Sequence, residues 1–308
     1  MFSRYAHPIR TLGLSWCWID WPNLRDETSP LISYKQSDER FTVDEIESIE
    51  AITVFRPDSR AKDPSPLPVL EDLKRARNLR FLSIPHDQVR HLDASSIAGT
   101  LEHLHLTPAR SQSGYAFWED GNGPLMFEQA MPRLRSLKTW FSPVYFQNFD
   151  AGLYPNLEWV GTSLSDFDKA GKMFALFSGS ERLKFYSIDS IKNKDLLKKI
   201  PAHIEGLRLW SITCKQFDFS GLARFERLKY LVLHGSASPL DCAVLGDLTE
   251  LEELTIFDFG SMRGLEVLYG LKRLKKVHIY PKNERDLDDK FKAGLKAALP
   301  QTLISFEI

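Results

Sequence analysis

The sequence has 308 residues, 43% hydrophobic and 26% charged, which supplies apolar material for a large core and excludes a disordered chain. Forty Lys and Arg against 41 Asp and Glu leave a formal charge of −1, so no basic excess supports nucleic-acid binding. Three cysteines, Cys17, Cys214 and Cys242, lack CxxC spacing and argue against a disulfide framework.

Residues 1–45 read as an N-terminal capping region, with Ile9-Leu12-Leu14 as a degenerate first repeat. No uninterrupted apolar h-region opens the chain, and no run approaches the ~18 apolar residues of a membrane span. A cytoplasmic protein without membrane contact is therefore expected. Trp16, Trp18 and Trp21 follow closely. They either seal the open end of a repeat core or anchor a partner.

From Ile46 to Ile308 one phrase recurs, apolar-x-x-apolar-x-apolar. It reads Ile49-Ile52-Val54, Leu79-Leu82-Ile84, Leu101-Leu104-Leu106 and Leu134-Leu137-Thr139. It continues as Leu157-Val160-Thr162, Leu183-Tyr186-Ile188, Ile204-Leu207-Leu209 and Leu228-Leu231-Leu233. Leu251-Leu254-Ile256, Leu274-Val277-Ile279 and Leu303-Phe306-Ile308 complete the set. The last two apolar positions alternate as in a strand, and the first turns the chain into it. Before three of these phrases the leucines are spaced by three: Leu222, Phe225, Leu228; Leu245, Leu248, Leu251; Leu268, Leu271, Leu274. That spacing suits a helical turn with one apolar stripe.

Two longer excursions break the period. Residues 55–68, rich in Pro, Ser and charge, read as a loop. Residues 107–132 carry Tyr115, Phe117 and Trp118 before a helix expected at Leu125–Gln129. Such excursions either contact partners or are tolerated surface insertions. Near the C-terminus a helix is expected around Asp286–Ala298, followed by a last strand with an unpaired edge.

Eleven phrases, most of them repeating within 20–29 residues, resemble the leucine-rich-repeat family over about residues 46–308. The resemblance implies an α/β horseshoe solenoid, with a parallel concave sheet, convex helices and about eleven irregular repeats. The family's Asn or Cys, eight residues after the first Leu, is missing. Pro57, Asp87, Ala109, Ser142, Ser165, Ile191, Ile212, Ser236, Phe259 and Lys282 stand there. The turn backbone is therefore expected to be satisfied differently from unit to unit.

Residues flanking each inward pair face away from the core. Nine of these 32 positions are Phe, Trp or Tyr, against 12% of the chain, which marks a recognition surface. The candidate protein-binding residues are Phe55, Phe81, His103, His105, Lys138, Trp140, Trp159, Phe185 and Asp189. Arg208, Trp210, Tyr230, His234, Glu253, Phe257, Lys276 and Tyr280 complete the set.

His103 and His105 alternate but nothing completes a metal set, so neither metal nor cofactor is expected. No P-loop, GxGxxG, GxSxG or HExxH motif is present, and no enzyme activity is expected. The resemblance implies a protein partner bound on the concave face. The expected role is inhibition by occlusion, as in a bacterial immunity protein neutralising a toxin or effector domain. An adaptor or substrate receptor is the second reading.

Overall fold

A computed structural model describes residues 32–36, 42–55, 66–107, 110–111, 114–115, 129–140, 150–163, 174–175, 177, 180–236, 238–282 and 287–306. The three N-terminal tryptophans, the degenerate first repeat and most of both excursions lie outside them. The chain forms two compact units, one built around Asp20–Thr162 and the other around Leu183–Ile308.

In the first unit the strands are β1 (Ile32–Gln36), β2 (Ala51–Phe55), β3 (Phe81–Pro85) and β4 (His103–Thr107). The hairpin strands β5 (Arg110–Ser111) and β6 (Gly114–Tyr115) pair antiparallel, and β7 (Ser136–Trp140) and β8 (Trp159–Ser163) follow. Strands β1, β2, β3, β4 and β7 pair in parallel, one repeat apart. Two short helices, α1 (Val43–Ser48) and α2 (Val69–Leu73), precede β2 and β3. Strand β1 lies inside the region read from sequence as a cap, so pairing begins before the first full phrase.

The second unit stacks β9 (Phe185–Ile191), β10 (Gly206–Ile212) and β11 (Tyr230–Ser236) in parallel. A small pair, β12 (Leu240–Asp241) and β14 (Met262–Arg263), lies apart. Strands β13 (Glu253–Phe259) and β15 (Lys276–Pro281) continue the stack, then helix α3 (Asp289–Ala298) leads to β16 (Leu303–Ser305). This is the leucine-rich-repeat solenoid fold: one parallel strand per repeat, with a return path behind it.

The return path differs from the expected convex helices. Among the described residues of the second unit most of it is 3₁₀, as at Phe219–Arg224, Cys242–Leu245 and Leu265–Gly270. The leucine spacing of three is the cause. Phe225 N–H donates to Leu222 C=O and Leu228 N–H to Phe225 C=O. The pattern repeats at Leu245, Leu248, Leu251 and at Leu268, Leu271, Leu274. Each bond spans three residues, so each spacing-of-three leucine enters the core at the same turn angle.

The last phrase sits two residues out of its expected register. Val277 pairs with Ile304, so Leu303 aligns with the outward Lys276 and is 57% exposed. Ile304 and Phe306 take the inward parity, and the Phe306 ring meets Phe291 of α3 at 6.4 Å.

Each of the ten repeat strands β2, β3, β4, β7, β8, β9, β10, β11, β13 and β15 is preceded by a charge, and the signs alternate along the series. Glu50, Arg80, Glu102, Arg135 and Glu158 serve the first unit; Lys184, Glu205, Lys229, Glu252 and Lys275 serve the second. Arg80 pairs with Glu50 and Glu102, Arg135 with Glu158, Glu205 with both Lys184 and Lys229, and Lys275 with Glu252. Burial pushes the Glu102 and Glu205 carboxyls up, but hydrogen bonds from Arg80, and from Lys184 and Lys229, outweigh it and hold both below the usual range. In-register stacking would bring like charges together, so alternation is the arrangement that attracts.

Glu205 holds two lysines from a buried position, so Glu205→Ala is expected to cost about 2 kcal/mol. Reversing all five signs at 184, 205, 229, 252 and 275 recovers most of it. Thermal unfolding checks this; a Glu205→Ala protein within about 0.5 kcal/mol of wild type refutes the ladder's role.

Candidate protein-binding face

The residues predicted to flank the core do share the sheet face opposite the 3₁₀ turns, but they do not form one exposed row. Of Phe55 and Trp140 only the backbone is described. In the first unit Phe81 is 2% and Trp159 3% exposed. A wet, solvent-facing ring was expected at both, and both are buried. Trp159 folds over its own strand, so a Cβ at Gly161 would lie 2.3 Å from the indole. Its Nε1 finds no partner among the described residues.

His103 is likewise buried, 4% exposed, with Nδ1 2.7 Å from Ser136 Oγ. His105 Nδ1 lies 3.4 Å from Ser83 Oγ. Each pair puts an imidazole beside a serine, the elements of a nucleophile and base. Burial seals the tighter one from any substrate, so it reads as cross-strand structure. Burial pulls the His103 pKa down to about 4. Burial, then the Lys138 charge, holds His105 well below its usual value.

The second unit brings its predicted residues together. Register sets Asp189, Trp210, His234, Phe257 and Tyr280 in one column across β9 to β15. Trp210 and His234 stack at 3.5 Å and 4°, and His234 and Phe257 at 4.9 Å and 7°. Phe257 meets Tyr280 edge-on at 5.8 Å. The Arg208 guanidinium lies over the Trp210 ring, 4.3 Å from its centroid. Arg208 is 5% exposed, and its Nη1 donates to Ser187 Oγ at 2.8 Å and Asp189 Oδ1 at 2.7 Å. Burial and then Arg208 pull the His234 pKa to about 4, against the opposing pull of Asp258 and Asp189.

A second column holds Phe185, Gly206, Tyr230, Glu253 and Lys276. The rings of Phe185 and Tyr230 lean to 6.2 Å across the bare Gly206. Glu253 Oε1 pairs with Lys276 at 3.4 Å.

Immediately after the ring column the backbone turns left-handed. Ser190, Ser211, Gly235 and Asp258 have φ of 58°, 56°, 57° and 55°. Ile191, Ile212, Ser236 and Phe259 then return to the interior, at the positions where the family carries Asn or Cys. The turn backbone is satisfied unit by unit. Ile191 C=O accepts from Thr213 N–H and Cys214 N–H, while Ser238 Oγ accepts from Phe217 N–H and donates to Cys214 C=O. Sequence reading missed this column, because serine and aspartate carry no obligatory left-handed signal. It also passed over the charge ladder, which was visible in the letters.

Among the described residues no group of His, Cys, Asp or Glu is placed to hold a metal ion, and no helix is long and apolar enough to cross a membrane. Cys242 is fully buried and its thiol pKa is pushed up to about 12 by burial, which leaves it unreactive.

No protein-family model matches the chain, and no curated protein resembles it in sequence. Solved structures with a similar fold include a leucine-rich-repeat protein of Leptospira interrogans, 15% identical, TM-score 0.40, covering 87% of this chain and 75% of its own. An internalin from Listeria monocytogenes is 14% identical, TM-score 0.35, with 87% and 90% covered. The TLR13 chain of a TLR13–ssRNA13 complex is 17% identical, TM-score 0.39; this chain matches over 82% of its length but spans 41% of that one. At these values the likeness bears on neither partner nor activity.

Burial separates two tryptophans that the sequence treats alike. Trp159→Ala is expected to cost about 3–5 kcal/mol, whereas Trp210→Ala, on a half-buried ring, costs about 1 kcal/mol. Urea unfolding of both variants measures the contrast, and equal losses would contradict it.

Acid should also weaken the fold. His103 titrates near 4 when folded and near ~6.5 when unfolded, so between those values the unfolded chain binds the extra proton. Stability therefore falls on acidification from pH ~6.5 to ~4 and gains nothing from this group below that. The slope it contributes is up to about 1.4 kcal/mol per pH unit, and His103→Gln flattens it in urea titrations at pH 7, 6 and 5.

Proposed function

We propose that the chain is a protein-binding module that recognises another protein through the ring column of its second unit. It inhibits that partner by occlusion, as an immunity protein neutralising a cognate toxin.

The carrying observation is the closed stack of Arg208, Trp210, His234, Phe257 and Tyr280. His234 is stacked between Trp210 and Phe257, which disfavours stacking an inserted nucleobase there. Mutual packing holds the rings rigid. Rigid Trp, Tyr and Arg are the residues that most often dominate protein–protein binding, since little rotamer freedom is lost on contact. Occlusion needs no reactive group, only a surface that covers a site on the partner, and the reactive-looking pairs His103–Ser136 and Cys242 are sealed inside.

Co-expression with the products of the genes flanking its own tests this. One flanking product should arrest growth alone, be tolerated alongside the chain, and purify with it as a one-to-one complex. Trp210→Asp combined with Phe257→Asp should abolish protection and complex formation while far-UV circular dichroism stays native. Protection untouched by those substitutions rules out the ring column as the binding face. A complex of several components would instead favour an adaptor.

A further inference from the structure

The two ring columns of the second unit are walls, and between them runs a floor. The floor positions Ser187, Arg208 and Val232 are 3%, 5% and 9% exposed, whereas the walls beside them, Phe185 and Tyr230 on one side and Trp210 on the other, are only half-buried. The trough crosses the strands at right angles, because it follows the register.

Its width restricts the occupant. Wall residues lie four positions apart on each strand, about 13 Å between Cα atoms, and wall side chains narrow that further. An α-helix with side chains needs about 10–12 Å and does not reach the floor; an extended chain does. Five strands at about 4.8 Å give a trough of about 19 Å, the length of roughly six extended residues.

Arg208 sets the chemistry. Its Nη1 is spent on Ser187 and Asp189, and its plane is fixed against Trp210. The Nε and Nη2 donors engage no described residue. That edge of a guanidinium is the side-on fork that matches a carboxylate with two parallel hydrogen bonds. Asp189 and Ser187 hold the fork in place without using it.

We propose that the trough takes an extended segment of the partner, laid across the strands, with an Asp or Glu side chain of that segment docked on Arg208. This rests on the protein-binding reading above and adds the form and charge of what is bound.

Random octapeptides displayed on phage, panned against the immobilised full chain, provide the probe. Enriched peptides should share one acidic position. The best of them, made synthetically and followed by fluorescence anisotropy, should lose at least tenfold in affinity for Arg208→Gln/Asp189→Asn. The double change leaves no lone buried charge, and its melting temperature reports folding. Arg208→Lys, which keeps the charge but loses the fork, should lose a similar factor. Replacing the peptide's acid by its amide should cost as much on wild type and nothing more on the variants. Enrichment of neutral or basic peptides, or affinity independent of Arg208, overturns the proposal. So does an absence of binding peptides while a toxin partner still binds through Trp210 and Phe257, an outcome that leaves the parent reading intact.

Discussion

Everything in the second unit follows from parallel strands paired in register, one repeat apart. Residue 207 faces 231, 231 faces 254, and 254 faces 277. Whatever occupies a position in one repeat lies about 4.8 Å from its equivalent in the next. Side chains therefore come in columns, and a column is stable only if its members tolerate their own neighbours. Leucines do, and become the core. Rings do, by stacking. Like charges do not, and the residues before the strands alternate in sign throughout both units.

The same rule explains how a polar-looking face can be stiff. Arg208 is nearly buried, yet it is neutralised by Asp189 and lies on Trp210. Isolated, a buried guanidinium would cost several kcal/mol; here its charge, its plane and its Nη1 each meet a neighbour, at Asp189, Trp210 and Ser187. His234, packed between two rings, stays neutral at ordinary pH because burial disfavours its charged form. A charged imidazole there would stand against Arg208 as well.

Much of this was legible in the letters, and the illegible parts share a cause. The phrase apolar-x-x-apolar-x-apolar located the strands, since period two and the leading leucine are local properties. The spacing of three in Leu245, Leu248 and Leu251 announced a helical turn but not its 3₁₀ hydrogen bonding. The outward parity of Trp159 and Trp210 was readable too, yet one is buried and the other half-exposed. Parity depends on one strand; burial depends on what neighbouring segments lay over it. Trp159 closes on Gly161 two residues later, a contact that a list of outward residues cannot express. The final strand slipped by two because Ile304, Phe306 and Ile308 alternate, and an alternating run fits its neighbour equally well in registers two apart.

The left-handed residues bring backbone and surface together. Ser190, Ser211 and Asp258 are L-residues in a conformation that costs about 1–2 kcal/mol each. Each occurrence immediately follows a member of the ring column, and each is followed by a residue that re-enters the core. Without the reversal, strand alternation would place Ile191, Ile212 and Phe259 on the same face as the rings. With it, a fourth buried side chain per repeat joins the core, and full burial of an Ile or Phe is worth about 1.5–3 kcal/mol, enough to offset the strain. The reversal falls directly beside the rings, one residue before the strand ends, so the column stands near the edge of the sheet face, anchored by a backbone that cannot straighten without losing core. That coupling makes the ring column rigid, because moving a ring means moving the backbone that seats the core residue beside it.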